Sequence, residues 1–320
     1  MIEKEGDYME KKIITVTLNP AVDKTYTAQG ILVGHVNRMK TVIKIAGGKG
    51  VNVTKILRQY DYPVAATGYL GGFSGQFIEE ELLRRGASCH FVKLEDETRS
   101  NMNIVADDGY VTELLEPGPN IGPDQQEKFW EQYEKLLESG SLVILSGSVA
   151  NGIADDVYRK LTKRAKAKEI PVYLDSSGES MRKGIEAAPD LIKPNWKELE
   201  FIVGHKLADR EEVVKAAKEL RKKGIGRVVV SMGDKGLLCV SGEGVYYAKA
   251  PKVKAVNTVA CGDSVVAAYA IAYEEKETEE QALMRACAMS AANATTMESA
   301  CIPMDTAQEL QKKIVVEKIG

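Results

Sequence analysis

The sequence predicts an α/β fold: a mostly parallel sheet with helices on both faces and a small antiparallel sheet beside it. Three observations carry that prediction. From about Lys12 onward, short β-branched apolar runs alternate with amphipathic stretches of helical period, the pattern of a parallel sheet covered on both sides. Residues 21–44 and 101–115 alternate apolar and polar side chains with no intervening helix, which reads as antiparallel strands of a lid. Polar residues suited to chemistry stand just after strands, where ligands bind in open parallel sheets: Asp175 after Val172-Tyr173-Leu174, Asn195 after Ile192-Lys193, and Ser231 after Val230.

The elements follow in order. Residues 13–18 form a β-rich run stopped by Asn19-Pro20. Residues 51–60 have helical spacing and 64–70 read as a strand. Residues 76–85 are helical and closed by Gly86, which can take the left-handed C′ conformation. Residues 142–145 form a continuous apolar strand, 155–168 a helix and 171–174 a further strand. Residues 191–193 are short and extended, with helices at 195–203 and 210–223 and strands at 227–230 and 237–240. After Gly262-Asp263 the chain runs directly into an Ala-rich apolar helix.

The chain has 320 residues, 44% hydrophobic and 28% charged, an ordinary globular composition. It divides into an expected disordered, charged tail over 1–11 and one domain over 12–320 that includes the lid strands. A net charge of −3 argues against a nucleic-acid surface, so positive groups beside a cleft gain weight as ligands for a small anion. Five scattered cysteines and three histidines show no zinc spacing, and unpaired thiols fit a reducing cytoplasm. The N-terminal MIEKEGDYMEKK lacks the apolar core of a signal peptide, and no apolar run is long enough to span a bilayer. No nucleic-acid or membrane partner is expected.

The most informative stretch is Ala260-Cys261-Gly262-Asp263 at the start of that Ala-rich helix. Helix N-termini leave amide N–H groups unpaired at the positive end of the peptide dipoles, which favours anions. An acid there could accept a hydroxyl proton while the amides hold a migrating phosphoryl group; a turn with an Asp cap reads equally well at this stage. Gly47-Gly48-Lys49-Gly50-Val51-Asn52 lets backbone approach a ligand closely and adds a point charge and an amide. It is not a P-loop, because Gly50 follows Lys49 and Ile43 stands where the first glycine would be. Asp23 could bind sugar hydroxyls or simply close a turn. Arg99 is suited to bidentate phosphate contact, or is a surface charge. Asn195 and Glu198 share a helix face, which fits either a hydrated magnesium site or a capping box. Ser231-Met232-Gly233-Asp234-Lys235-Gly236 is a glycine-containing turn after a strand.

In this order, Asn19-Pro20-Ala21-Val22-Asp23, Gly47 to Asn52, Lys193-Pro194-Asn195 with Glu198, and Gly262-Asp263 resemble the ribokinase/PfkB family of carbohydrate kinases. The resemblance runs from about Ile13 to the C-terminus. It is strongest to the 1-phosphofructokinase and tagatose-6-phosphate kinase branch, through Thr98-Arg99-Ser100-Asn101 and Ser146-Gly147-Ser148 as well. It implies a ribokinase-like, Rossmann-like core with a β-sheet lid used for homodimerisation. It also implies ATP with Mg2+, and possible use of a monovalent cation. By carry-over, Asp263 is the base and the amides of Ala260, Cys261, Gly262 and Asp263 form the anion hole. Asp23, Gly48 and Asn52 hold the sugar; Lys49, Arg99 and Ser148 hold its existing phosphate. Lys193, Asn195 and Glu198 handle the ATP phosphates and metal, with Asp175 nearby, and Ser231, Gly233, Gly236 and Asn293 line the nucleotide pocket.

The chain departs from this family in two places. Ala260 stands where glycine is usual, which strains the backbone if that position needs positive φ. Beside it, Cys261 at a helix N-terminus is expected to have a lowered thiol pKa. Val149-Ala150 also replaces the usual Leu-Pro after Ser148. The leading expectation is phosphorylation of fructose 1-phosphate to fructose 1,6-bisphosphate. Alternatives are tagatose 6-phosphate as substrate, an unphosphorylated sugar or nucleoside, or a non-catalytic regulator that binds sugar or nucleotide.

Overall fold

A computed structural model describes residues 11–320 apart from Gly109. The expected tail therefore lies, except for Lys11, outside the described residues. The chain opens with β1 (Lys12–Thr17) and then leaves the core for the lid strands β2 (Ala21–Ala28) and β3 (Thr41–Gly47). It returns through α1 (Lys49–Gln59), β4 (Val64–Gly71), α2 (Gly72–Arg84) and β5 (Ser88–Leu94), then adds the lid hairpin β6 (Ser100–Ala106) and β7 (Val111–Leu115). Alternation resumes with α3 (Pro123–Leu136), β8 (Gly140–Ser146), α4 (Val157–Ala167), β9 (Val172–Asp175), α5 (Gly178–Gly184) and β10 (Leu191–Ile192). Next come α6 (Trp196–Val203), α7 (Arg210–Lys222), β11 (Arg227–Ser231), β12 (Leu237–Ser241) and β13 (Gly244–Ala248). The chain closes with α8 (Cys261–Glu274), α9 (Glu279–Asn293), α10 (Met304–Gln311) and β14 (Val316–Lys318).

The main sheet has ten strands in the order β14-β13-β12-β11-β10-β9-β8-β1-β4-β5. From β11 to β5 all neighbours are parallel, while β12, β13 and β14 extend one edge antiparallel. Successive side chains on a strand face opposite sides, and the central strands show it. Ile13, Leu142 and Ile144 pack with α1, α8 and α9, whereas Ile14, Val143 and Leu145 pack with α3 and α4. Both faces are thus buried, at roughly 1.5–3 kcal/mol per large apolar side chain, which explains why these strands read as continuous apolar runs.

The second sheet has the order β3-β2-β6-β7. Its outer pairs β2–β3 and β6–β7 are antiparallel as expected, but β2 pairs with β6 in parallel. That corrects the wholly antiparallel reading of the lid. Between β2 and β6 the chain passes through the core elements α1, β4, α2 and β5, and such a crossover allows strands to meet in the same direction.

Candidate active site

Five strands of the parallel core, β1, β8, β9, β10 and β11, end near one cleft, with the lid closing its side. The cleft has a volume of about 520 Å³ and gathers groups from the carboxyl ends of β1, β8 and β9, the turn before α1, the lid, and the N-terminus of α8. A larger groove of about 780 Å³ beside β5 and α3 is lined mostly by surface lysines and core aliphatics. The convergent buried polar groups lie in the smaller cleft, and the chemistry is sought there.

The centre of the cleft is the start of α8. Ala260 is its N-cap, with φ 66° and ψ 4° and no capping side chain. Alanine cannot supply the oxygen that Ser, Thr or Asp would turn onto the next amides. The amides of Gly262 and Asp263 accordingly have no hydrogen-bond partner among the described residues, whereas the Cys261 amide donates to Thr258 O at 3.3 Å. The free anion-binding amides are therefore fewer than the four expected, and Cys261 is the one withdrawn. At Gly262 a Cβ would stand 3.1 Å from the Lys193 ammonium, a tight contact that would make the lysine end shift by a few tenths of an ångström.

Asp263 is 5% exposed, and Asn52 Nδ2 donates to its Oδ2 at 2.8 Å. Lys49 Nζ donates to Asp175 Oδ1 at 3.1 Å, and Lys193 Nζ lies 3.5 Å from the same oxygen. Two lysines and two aspartates thus form one compact cluster. Burial pushes the Asp263 carboxyl up to about 6, Asp175 adds to the rise, and Lys49, Asn52 and Lys193 oppose it. Burial also acts to raise Asp175, yet Lys193 and Lys49 overcome it and hold that carboxyl below its usual range. For Lys49, burial favours the neutral amine, but Asp175, Asp263 and Glu198 outweigh it and keep the ammonium charged. Of the two carboxylates, Asp263 is the first to take up a proton as pH falls.

An arc of polar groups continues toward the lid. Asn101 Nδ2 donates to Asp23 Oδ1 at 2.8 Å. A Cβ on Gly47 would sit 2.0 Å from Asp23 Oδ2, so only glycine lets that carboxylate rest on the turn. Burial raises the Asp23 carboxyl, with Asn101 and Arg99 opposing. Arg99 donates to Asn19 O through Nε (3.3 Å) and Nη2 (3.1 Å) and to Glu116 O through Nη1 (3.1 Å). Asn19 Nδ2 in turn donates to Ser148 Oγ at 3.4 Å. Asn19 is therefore the joint between Arg99 and Ser148, a role that reading Asn19-Pro20 only as a strand terminator did not reveal. Asn103 and Glu113, a cross-strand pair of β6 and β7, also face the cleft and were missed because lid strands show only alternation in sequence.

On the other side, Asn195 and Glu198 form a reciprocal capping box: Asn195 Oδ1 accepts from Glu198 N at 2.9 Å, and Glu198 Oε2 accepts from Asn195 N at 2.8 Å. The local reading of these residues thus holds. Both still line the cleft, with the Asn195 amide nitrogen and the second Glu198 oxygen left over. An amide nitrogen is a donor, better suited to a phosphate oxygen than to a cation.

The cleft brings together Asp23, Gly48, Lys49, Asn52, Arg99, Ser148, Asp175, Lys193, Asn195, Glu198, Ser231, Ala260, Gly262 and Asp263. Cys261, Gly233, Gly236 and Asn293 are not among its lining residues. Cys261 Sγ is turned toward Asn293 Nδ2 (3.4 Å), and burial pushes the thiol up, contrary to the lowered value expected of a helix N-terminus. Asn293 works behind the anion hole, donating to Val259 O at 2.7 Å and accepting from Ala300 N at 3.0 Å. Gly236 answers to packing, since a Cβ there would meet Ala248 O at 2.0 Å, and Gly233 occupies an exposed turn. Three buried oxygens in the cleft, Asn19 Oδ1, Asn52 Oδ1 and Asp175 Oδ2, have no hydrogen-bond partner among the described residues. Buried polar atoms are rarely left so, and their convergence on one cavity marks a ligand site.

Comparison with known proteins agrees with this geometry. The profile described as pfkB family carbohydrate kinase matches residues 16–307. A 1-phosphofructokinase from Bacillus subtilis is 36% identical over 286 residues, covering 89% of this chain and 93% of the relative. A tagatose-6-phosphate kinase from Staphylococcus epidermidis is 34% identical over 310 residues, covering 96% of this chain and all (100%) of the relative. Among solved structures, phosphofructokinase-2 from Escherichia coli in complex with potassium superposes with a TM-score of 0.87 at 27% identity, covering 95% of this chain and 99% of that one.

Proposed function

Since the chain belongs to the pfkB family of carbohydrate kinases, we propose that it is an ATP-dependent phosphosugar kinase, with fructose 1-phosphate ahead of tagatose 6-phosphate as acceptor. The observation that carries this reading is the buried Asp263, oriented by Asn52 and set beside free helix amides and two ammonium groups. In the proposed step the acceptor hydroxyl oxygen bonds to the terminal phosphorus of ATP while the bond from that phosphorus to the bridging oxygen breaks, releasing ADP. The hydroxyl proton passes to Asp263. Asn52 occupies Asp263 Oδ2, which leaves Oδ1 for that proton. The amides of Gly262 and Asp263, with Lys193 above them, face the transferring group, and phosphoryl transfer asks mainly for such positioning and charge stabilisation.

Asp23, Asn52 and the Gly48 backbone take the sugar, the unpartnered Asn52 Oδ1 being an acceptor for one of its hydroxyls. Arg99, Asn19, Ser148 and Lys49 form the arc assigned to the existing phosphate; an unphosphorylated acceptor would need no such arc. Glu198 and the buried, unpartnered Asp175 Oδ2 fit a hydrated magnesium ion, which when bound neutralises phosphate charge. Asn195 is assigned to a phosphate oxygen, and Ser231 to the nucleotide side. A monovalent cation is a further expectation, drawn from the neighbour solved with potassium. The lid exposes apolar side chains on both of its faces, Val42 and Leu114 on one and Ile43, Val111 and Leu115 on the other, which supports a homodimer through the lid. Sedimentation as a monomer at micromolar concentration would remove the dimer.

An ADP-release assay across hexose phosphates and free hexoses tests the central reading, run with magnesium and with potassium or sodium. The expected result is turnover of one or a few phosphohexoses. Binding without turnover would favour the regulator, and preference for a free sugar would overturn the phosphate arc.

A further inference from the structure

Lys55 is a buried cation that the proposed chemistry does not use. Its side chain projects from α1, one turn beyond Asn52, into the protein, and the residue is 1% exposed. Its ammonium donates to Ser299 O at 2.9 Å and Ala46 O at 3.4 Å and has no ion-pair partner among the described residues. A buried charge held only by two neutral carbonyls is costly, and an apolar side chain of similar length would ordinarily be the more stable choice.

The two carbonyls belong to different halves of the site. Ala46 is the penultimate residue of the lid strand β3 and precedes the Gly47-Gly48 turn under Asp23. Ser299 lies in the segment between α9 and α10 that supports the anion hole. Ser299 Oγ accepts from Asn257 Nδ2 at 3.1 Å, and Asn257 Oδ1 accepts from Val259 N at 2.9 Å. Next to Ser299, Ala300 N donates to Asn293 Oδ1, and Asn293 Nδ2 donates to Val259 O. One ammonium thus joins the backbone of the acceptor turn to the backbone that places Val259, Ala260 and the α8 amides.

We propose that Lys55 is a positioning residue that fixes the acceptor turn relative to the anion hole, so that its charge sets the alignment of the two bound reactants. This rests on the kinase reading. The charged groups facing the ammonium are Asp23 from β2, Glu81 and Arg85 at the end of α2, and Glu298 from the segment before α10; the Cys301 thiol lies on the same side. Burial, with Arg85 adding to it, lowers the Lys55 ammonium to about 8, so the tie loses its charge in mildly alkaline solution.

The test compares wild type with Lys55→Met and Lys55→Arg, measuring thermal stability and the pH profile of kcat and of both KM values. Lys55→Met removes the charge at near-constant volume. Its Tm is expected to hold or rise while kcat falls about 10- to 100-fold, the scale of a small misalignment, with both KM values within about threefold. A residue serving stability alone would lose Tm and activity together. Wild-type kcat is expected to decline above about pH 8, and Lys55→Arg to keep activity beyond that pH, because a guanidinium does not titrate there. A Lys55→Met variant with kcat within about twofold of wild type overturns the assignment at that resolution of the assay. If Lys55→Met does not fold, the same alkaline decline in wild type and Lys55→Arg overturns it. Either result leaves wild-type turnover intact and so spares the kinase reading. Absence of wild-type turnover sinks both.

Discussion

Replacing Asp263 with asparagine separates the chemical and electrostatic claims made for this carboxyl. Asn keeps the shape and can still accept the Asn52 hydrogen bond, but it cannot take a proton. If Asp263 is the base, kcat falls about 10²- to 10⁴-fold, the usual contribution of a positioned general base. ATP binding should be spared. Stability should move the other way. The Asp263 carboxyl rises from an ordinary value of 3.8 to about 6 on folding, so the ionised form is disfavoured in the folded state. Each pKa unit is about 1.4 kcal/mol, so holding Asp263 ionised costs the fold about 3 kcal/mol well above pH 6.

The sign follows from the direction of the shift. A carboxyl whose pKa is raised by folding costs nothing where both states are protonated, below about pH 4. The cost grows as pH rises through the interval between about 4 and 6, and is constant above it. Asn imitates the protonated acid at every pH. The Asp263→Asn variant should therefore be more stable than wild type by about 3 kcal/mol at pH 8 and by about half that at pH 5. For a chain of this size that is a Tm gap of about 5 °C or more at pH 8, shrinking at pH 5. Calorimetry at the two pH values reads the gap, and steady-state assays read kcat. Near-normal turnover would remove Asp263 as the base. A variant less stable than wild type at pH 8, or a gap that ignores pH, would refute the account of the cluster. Wild-type kcat should itself fall as pH drops below about 6, where Asp263 becomes protonated.

Two further substitutions probe the ends of the cleft. Ala260→Gly should be nearly neutral in Tm and kcat, because relief of about 1 kcal/mol of left-handed strain is offset by the extra freedom glycine gives the unfolded chain. A large loss of either in thermal melts or steady-state kinetics would mean that the Ala260 methyl itself holds the loop. Arg99→Ala should raise KM for the phosphosugar about tenfold or more and leave KM for ATP unchanged, since a charge-assisted contact is worth about 1.5–3 kcal/mol. Unchanged KM for the phosphosugar would remove Arg99 from the phosphate arc.

Much of this was legible in the sequence, for a physical reason. A parallel strand buried on both faces must be apolar throughout, so 13–18, 64–70 and 142–145 announced themselves as β1, β4 and β8. Glycines that let a ligand or carboxylate touch backbone are equally visible: Gly47 leaves the room that Asp23 occupies, and Gly262 keeps the approach to the Lys193 ammonium open. The missed elements give weaker signals. The edge strand β5 mixes exposed and buried positions, and β13 borrows its register from β12. The parallel pairing of β2 with β6 cannot be read from alternation, because alternation fixes a face and not a partner.

The same limit governs the site. Residue type told which groups could act, but the work each one does depends on what it touches. Lys49 and Arg99 were both read as ligands for an anion, and both are engaged in the structure: Lys49 by Asp175, Arg99 by the carbonyls of Asn19 and Glu116. Engagement of this kind holds a charge in place before a ligand arrives, which lowers the ordering cost of binding, although the donors so used must be shared or exchanged when phosphate enters. Ala260 shows the converse. Read alone it was a defect in an anion-binding turn. In the structure its lack of a capping oxygen is what leaves the Gly262 and Asp263 amides unpartnered, and its positive φ is the strain accepted to present them. The departure from the family pattern at this position therefore changes the backbone energy of the site without removing the groups that the proposed reaction needs.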